Sequence, residues 1–191
     1  MSSVNVSQLT ALAELFKSVL DRCFPESVAV LGVAGGNGLE HVDCTHMKRI
    51  VGVDINPRYL DEVRRRFGTL AGLELHCCDL AEQRCNVAPV ALVHAALIFE
   101  HAGLGLALEN ACSLVADGGR LSVVLQLPSV GERDVASTDY TSMQRLKEGF
   151  ALIEVPEFQH LLRQKGFQLL GQESQTLPAG KALWLGLFAK G

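Results

Sequence analysis

Short apolar runs alternate with amphipathic stretches along most of the chain, and this alternation predicts strands and helices in turn. Residues 7–23 place Leu9, Leu12, Phe16, Val19, Leu20 and Cys23 on one helical stripe, which Pro25 ends. Residues 28–33 form a continuous apolar run, the pattern of a strand covered on both faces. Glycines follow, then a short helix from Leu39 to Met47. Ile50 to Asp54 reads as a second strand. Asn56 and Pro57 supply the cap and first turn of a helix whose stripe is Leu60, Val63 and Phe67, with Gly68 as its stop. Leu73 to Cys77 and Val90 to Leu97 are the third and fourth strands. A helix from Leu104 to Val115 precedes a Gly118-Gly119 turn and a fifth strand, Leu121 to Leu127.

The C-terminal part changes character. Pro156 opens a helix that runs to Gly166, and two apolar runs follow, Phe167 to Gly171 and Ala182 to Ala189. The turn around residues 178–180 leaves no room for a crossover helix, so these runs are expected to pair as an antiparallel hairpin at the sheet edge. The expected class is therefore α/β: a mainly parallel seven-stranded sheet with helices on both faces. The expected organisation is one domain over residues 1–191. Residues 1–27 carry the N-terminal helix, and the weakly periodic, polar stretch 128–155 is an insert capping the site.

Composition narrows the function classes. A chain of 191 residues can bury a core without disulfides or metals, and 48% hydrophobic against 20% charged residues excludes wholesale disorder. Net charge is −4, and the densest basic run, Arg64-Arg65-Arg66, falls on a helix as a solvated face. Nucleic acid is accordingly not an expected partner. Six cysteines occur without a CxxC pair, which gives zinc no support and suits a reducing compartment. Cys77 and Cys78 are expected to be buried in the third strand and unreactive. No leader pattern and no apolar run of membrane-spanning length is seen, so the expectation is a cytoplasmic protein with no membrane partner.

Three elements carry candidate chemistry. Val30-Leu-Gly-Val-Ala-Gly-Gly-Asn-Gly38 follows the first strand, where glycines let backbone approach a ligand and a helix start offers free N–H groups; a plain strand–helix turn is the other reading. Asp54 ends the second strand, where a carboxylate can take both hydroxyls of a ribose or simply cap the next helix. Asp79, just past the third strand, can accept from an adenine amino group with the Leu80 backbone beside the ring, or be an ordinary turn residue.

Taken together, these elements resemble the class I S-adenosylmethionine-dependent methyltransferases over nearly the whole chain, including the Asp117-Gly-Gly-Arg120 turn before the fifth strand and the closing hairpin. The resemblance implies a Rossmann-like three-layer sandwich. It implies S-adenosylmethionine as cofactor, with Asp54 and Ile55 at the ribose and Asp79 and Leu80 at the adenine. Gly32, Ala34, Gly36, Asn37, Gly38 and Ala96 would border the rest of that ligand. Two departures stand out. Gly32 occupies the position of the family's acidic residue, and Ala34 replaces the first loop glycine, which is tolerable if its φ is negative. Asn37, Glu40 or the 128–155 insert would then substitute for the acid.

Methyl transfer from a sulfonium needs alignment more than covalent help. Glu100 and His101, at the exit of the fourth strand, face the position of the methyl group and include a candidate base; a helix-start acid and a surface histidine is the other reading. Tyr140, with Asp139 and Ser142, would reach the acceptor from the insert, and Gln126 and Pro128 end the fifth strand. His94 reads as a core histidine. The expected acceptor is a small molecule. Two alternatives remain. A non-catalytic relative is favoured by Gly32 and Ala34. An NAD-dependent oxidoreductase needs a small residue where His41 stands.

Overall fold

The computed structural model describes residues 3–128, 150–177 and 180–191. Among these, seven strands form one sheet in the order β3-β2-β1-β4-β5-β7-β6. Helix α1 (Ser3–Cys23) leads into β1 (Ser27–Leu31); β2 (Arg49–Asp54), α2 (Pro57–Phe67), β3 (Leu73–Cys77) and β4 (Val90–Ala96) follow. Then come α3 (Phe99–Ala102), α4 (Leu106–Ser113), β5 (Val115–Leu127), α5 (Val155–Gln164), β6 (Phe167–Thr176) and β7 (Ala182–Lys190). Strands β1 to β5 pair in parallel, and β7 runs antiparallel to both of its neighbours. The two last strands do form a hairpin, but β7 lies inside the sheet between β5 and β6, and β6 takes the edge.

Alternation along the strands builds two cores, one on each face. Val28, Val30, Ile50 and Leu92 pack under Leu15, Phe16 and Val19 of α1 and Leu60 and Val63 of α2. Ala29, Leu31, Val93 and Ala95 pack on the other face with Ala107, Leu108 and Ala111 of α4 and Phe158 and Leu162 of α5. The result is a three-layer α/β sandwich.

Four local expectations are corrected. The predicted helix Leu39–Met47 is only a 3-10 turn, Leu39–His41. Gly38 enters it at φ 91°, and the Asp43 carboxylate accepts from the N–H and hydroxyl of Thr45, a local bond that competes with helix. The predicted helix Leu104–Val115 is broken around Gly103 and Gly105 into α3 and α4, and β5 begins already at Val115. Cys77 is exposed and Cys78 half-buried, because β3 is an edge strand. The fourth strand stops at Ala96, since Leu97 turns to φ 55°. The insert 128–155 lies almost wholly outside the described residues.

Candidate functional site

All the parallel strands end at one edge of the sheet, and the candidate residues sit on those ends. At β1 the chain turns through Gly32, whose N–H and that of Val33 both donate to the Val53 carbonyl of β2. Ala34 then adopts φ 45°, against the expectation of a negative value. The Asp54 carboxylate explains how: its Oδ2 accepts from the Ala34 N–H at 2.8 Å, which fixes an otherwise disfavoured left-handed turn. The other oxygen, Oδ1, accepts from the Asn56 N–H at 2.8 Å. Asp54 is thus 6% exposed and latches the loop after β1 to the exit of β2. Ile55 beside it is 61% exposed, a large apolar side chain facing outward at the same edge. Asn56 caps α2 by accepting from the Arg58 N–H, as its position before Pro57 predicts.

The loop glycines have packing reasons of their own. A Cβ on Gly36 would lie 2.7 Å from the Phe67 ring, one on Gly38 2.8 Å from Phe16, and one on Gly32 3.0 Å from Ile98. Arg66 covers the Phe67 ring and donates to the Gly35 carbonyl, pinning the loop to the end of α2. At Gly32, where the family pattern has an acid, the Ile98 side chain fills the space. Asn37 and Glu40, the expected substitutes, are engaged within the protein: Asn37 donates to the Leu9 carbonyl at 2.9 Å, and Glu40 accepts from the Gly38 N–H at 2.9 Å. A pocket of about 420 Å³ opens there between α1 and the 3-10 turn, lined by Leu9, Ala13, Asn37 and His41 among others. Neither Asp54, Asp79 nor Glu100 belongs to its wall, so it is a groove behind the loop.

Asp79 follows β3, whose Cys77 pairs with Asp54, and the Cys78 N–H donates to the Asp54 carbonyl at 3.0 Å. The two acids therefore leave neighbouring strands at the same edge. Asp79 is half-buried, and its Oδ1 accepts from the Ala81 N–H at 2.9 Å, the turn-forming bond expected of an Asp in a loop. Leu80 is buried, with its carbonyl accepting from Asn110. Ala96 ends β4, half-buried, next to the turned Leu97. Among the described residues three non-glycine residues have positive φ, and two of them, Ala34 and Leu97, lie at this edge. Backbone strain of this kind gathers where a site needs a fixed shape.

Glu100 and His101 part company. His101 is exposed and meets the Phe150 ring edge-on at 5.1 Å. Glu100 is 2% exposed, with Oε1 accepting from the Gln126 N–H of β5 at 2.7 Å. Its Oε2 is the buried side-chain oxygen or nitrogen without a partner among the described residues. Burial pushes this carboxyl up to about 7, partly offset by the backbone N–H groups it accepts from. His94 is a core histidine: it stacks on Phe16 at 4.5 Å, meets the Ser122 hydroxyl at 3.0 Å, and burial depresses it to about 4. Burial also raises the Cys78 thiol, and Cys85 to about 12. Tyr140, Asp139 and Ser142 lie outside the described residues.

Sequence reasoning missed Asn110, a fully buried amide at the loop after β3. No signal short of the fold marks it, because its partners stand 25 to 30 residues away.

Solved structures settle the architecture. The N-methyltransferase NodS from Bradyrhizobium japonicum, in complex with S-adenosyl-L-homocysteine, aligns over 99% of this chain and 88% of its own with a TM-score of 0.71 at 15% identity. Magnesium protoporphyrin IX methyltransferase from Synechocystis PCC 6803, with S-adenosylmethionine bound, aligns over 100% and 85% with a TM-score of 0.73 at 11% identity. This chain has the class I methyltransferase fold. A TehB-like methyltransferase from Corynebacterium glutamicum gives the same answer over 93% and 88% of the two chains, with a TM-score of 0.64 at 14% identity. No family model and no curated protein matches the sequence significantly. Within the class I methyltransferase fold, the edge that carries Asp54, Asp79 and Glu100 is the carboxyl edge of the parallel strands, where ligands of open α/β sheets sit. No helix among the described residues is long and apolar enough to cross a membrane.

Proposed function

We propose that the chain is an S-adenosylmethionine-dependent methyltransferase with a small-molecule acceptor. The observation that carries this reading is Asp54, a buried carboxylate that ties the loop after β1 to the end of β2 in a fold shared with proteins holding this ligand or its product. The chemistry of the donor set fits. Each oxygen of a carboxylate has two acceptor sites, and each Asp54 oxygen uses one on a backbone N–H. Two remain for the two hydroxyls of a ribose.

When bound, S-adenosylmethionine supplies a methyl group already activated on a sulfonium. The protein's share is to hold and orient. Asp54 would take the ribose and Ile55 would lie against the nucleoside, with Asp79 and Leu80 at the adenine. The main chain from Gly32 to Gly38 and Ala96 would border the remainder. With the exits of β1 to β3 assigned in this way, the ends of β4 and β5 are left for the acceptor. Glu100 stands there, joined to β5 through Gln126. A carboxyl held at about 7 can receive an acceptor proton at neutral pH, which makes Glu100 the candidate general base. Tyr140 and His101 are retained as acceptor-side residues. The net charge of −4 favours a small acceptor over nucleic acid.

A second reading, a binding protein without turnover, has its own support. Ile98 occupies the space of the missing acid, and both expected substitutes are engaged elsewhere. An NAD-dependent oxidoreductase is disfavoured, because a three-residue 3-10 turn follows the loop where a diphosphate needs a helix N-terminus.

Calorimetry with S-adenosylhomocysteine tests the cofactor half, and a thermal-shift comparison with NAD tests the rival. Saturable binding of S-adenosylhomocysteine is expected. No binding at about millimolar ligand would end the claim. Binding with no homocysteine product released across a broad acceptor panel would favour the second reading.

A further inference from the structure

Asn110 of α4 is 0% exposed, yet its side chain makes three hydrogen bonds to one loop. Its Nδ2 donates to the Leu80 carbonyl at 2.9 Å and to the Gln83 carbonyl at 2.7 Å. Its Oδ1 accepts from the Cys85 N–H at 3.0 Å. Both amide hydrogens are used, which fixes the orientation of the group. The loop is further closed on itself: Asp79 Oδ1 takes the Ala81 N–H, the Asp79 carbonyl takes the Glu82 and Gln83 N–H groups, and the Cys85 thiol donates to the Cys78 sulfur.

A helix–loop contact of this size can be sealed by apolar side chains with no loss of stability, since a satisfied buried polar group contributes little net free energy. What a three-way amide clamp adds is a single conformation. The segment so fixed is the one that presents Asp79 and Leu80 at the carboxyl edge of the sheet, beside Asp54. Asp79 spends one oxygen on its own turn, and where its other oxygen points follows from the path of residues 79–85. That path is set from below by Asn110.

We propose that Asn110 is the positioning residue of the nucleoside site, and that through the loop 79–85 it sets the selectivity for a base carrying an exocyclic amino group. The proposal rests on the reading that this edge binds an adenosyl ligand.

The test compares two probes on the full chain by calorimetry: S-adenosylhomocysteine and S-inosylhomocysteine, which differ in the amino group at position 6 of the purine. The parent is expected to prefer the adenosyl compound by about tenfold or more, because a site built to accept from an amino group rejects the analogue that lacks it. Asn110→Asp keeps the shape and the bond from Cys85 but sets an oxygen against the Leu80 and Gln83 carbonyls. It is expected to reduce that preference to within about threefold. Leu108→Ala, a core change on the same helix, controls for stability and is expected to lower Tm while the preference persists. If Asn110→Asp does not fold, Asn110→Ser, which keeps one donor, is read by the same criterion. Retention of the full preference in the Asn110 variant overturns the proposal, as does equal loss of it in Leu108→Ala at matched Tm. A parent that binds both probes equally overturns it too, while leaving cofactor binding intact. A parent that binds neither removes the functional reading and this inference together.

Discussion

At the scale of single residues, two side chains are held in states that water would not favour. Glu100 is raised to about 7 by burial from an ordinary value of 4.5. The folded form therefore binds a proton more tightly than the unfolded chain does. Its contribution is fully present below pH 4.5 and is lost as pH rises through 7, an effect on the order of 2 kcal/mol. Denaturant unfolding of the parent and Glu100→Gln at pH 5 and pH 8 should show the parent losing stability relative to the variant at the higher pH. Parallel pH dependences would show that the carboxyl is not perturbed. Ala34 sits at φ 45° under the pull of Asp54. Replacement by glycine relieves the left-handed strain but frees the unfolded chain, so Ala34→Gly should gain about 1 kcal/mol or less. A clear loss of stability in the same measurement would mean that the turn is not strained.

Whole elements were legible in the sequence where their signals are local. Helix α2 has its cap at Asn56, its proline at the first turn and its stripe of Leu60 and Val63 within a dozen residues, and it forms over the predicted span. Asn56→Ala should cost about 1 kcal/mol in thermal or denaturant unfolding, the usual value of a lost cap. An unchanged midpoint would transfer the capping role to Asp54, which holds the Asn56 N–H. Where competing local bonds exist the reading failed, as at Asp43, whose turn replaces the predicted helix after Gly38. The roles of Asp54 and Glu100 were half legible. Position along the strand pattern marked both, but their partners, Ala34 and Gln126, lie 20 and 26 residues away and come together only on folding. Asn110 left no trace in the pattern, because an Asn on a helix face reads as solvated until the loop that covers it is known.

For the molecule as a whole, the parallel part of the sheet was anticipated because continuous apolar runs such as 28–33 mark strands buried on both faces. The place of the last strand was not, since hairpin spacing says that β6 and β7 pair but not which of them meets β5. The burial of β7 on both faces decides it. Leu183, Leu185 and Leu187 pack with α1, while Trp184 and Phe188 pack with α5. Leu185→Ala, at a position 1% exposed, should lower stability by about 2 to 5 kcal/mol. An effect below about 1 kcal/mol would show that this strand is peripheral to the core.

Placing β7 between β5 and β6 also dictates an order of assembly. β6 is made before β7 yet touches the sheet only through it, so ten residues of edge strand have no template until the segment after them has docked. During that interval the apolar Leu169-Leu170 pair and a full row of backbone donors wait in water. Any change that delays the arrival of β7 lengthens the exposure of a sticky ribbon, and aggregation during refolding would be its symptom.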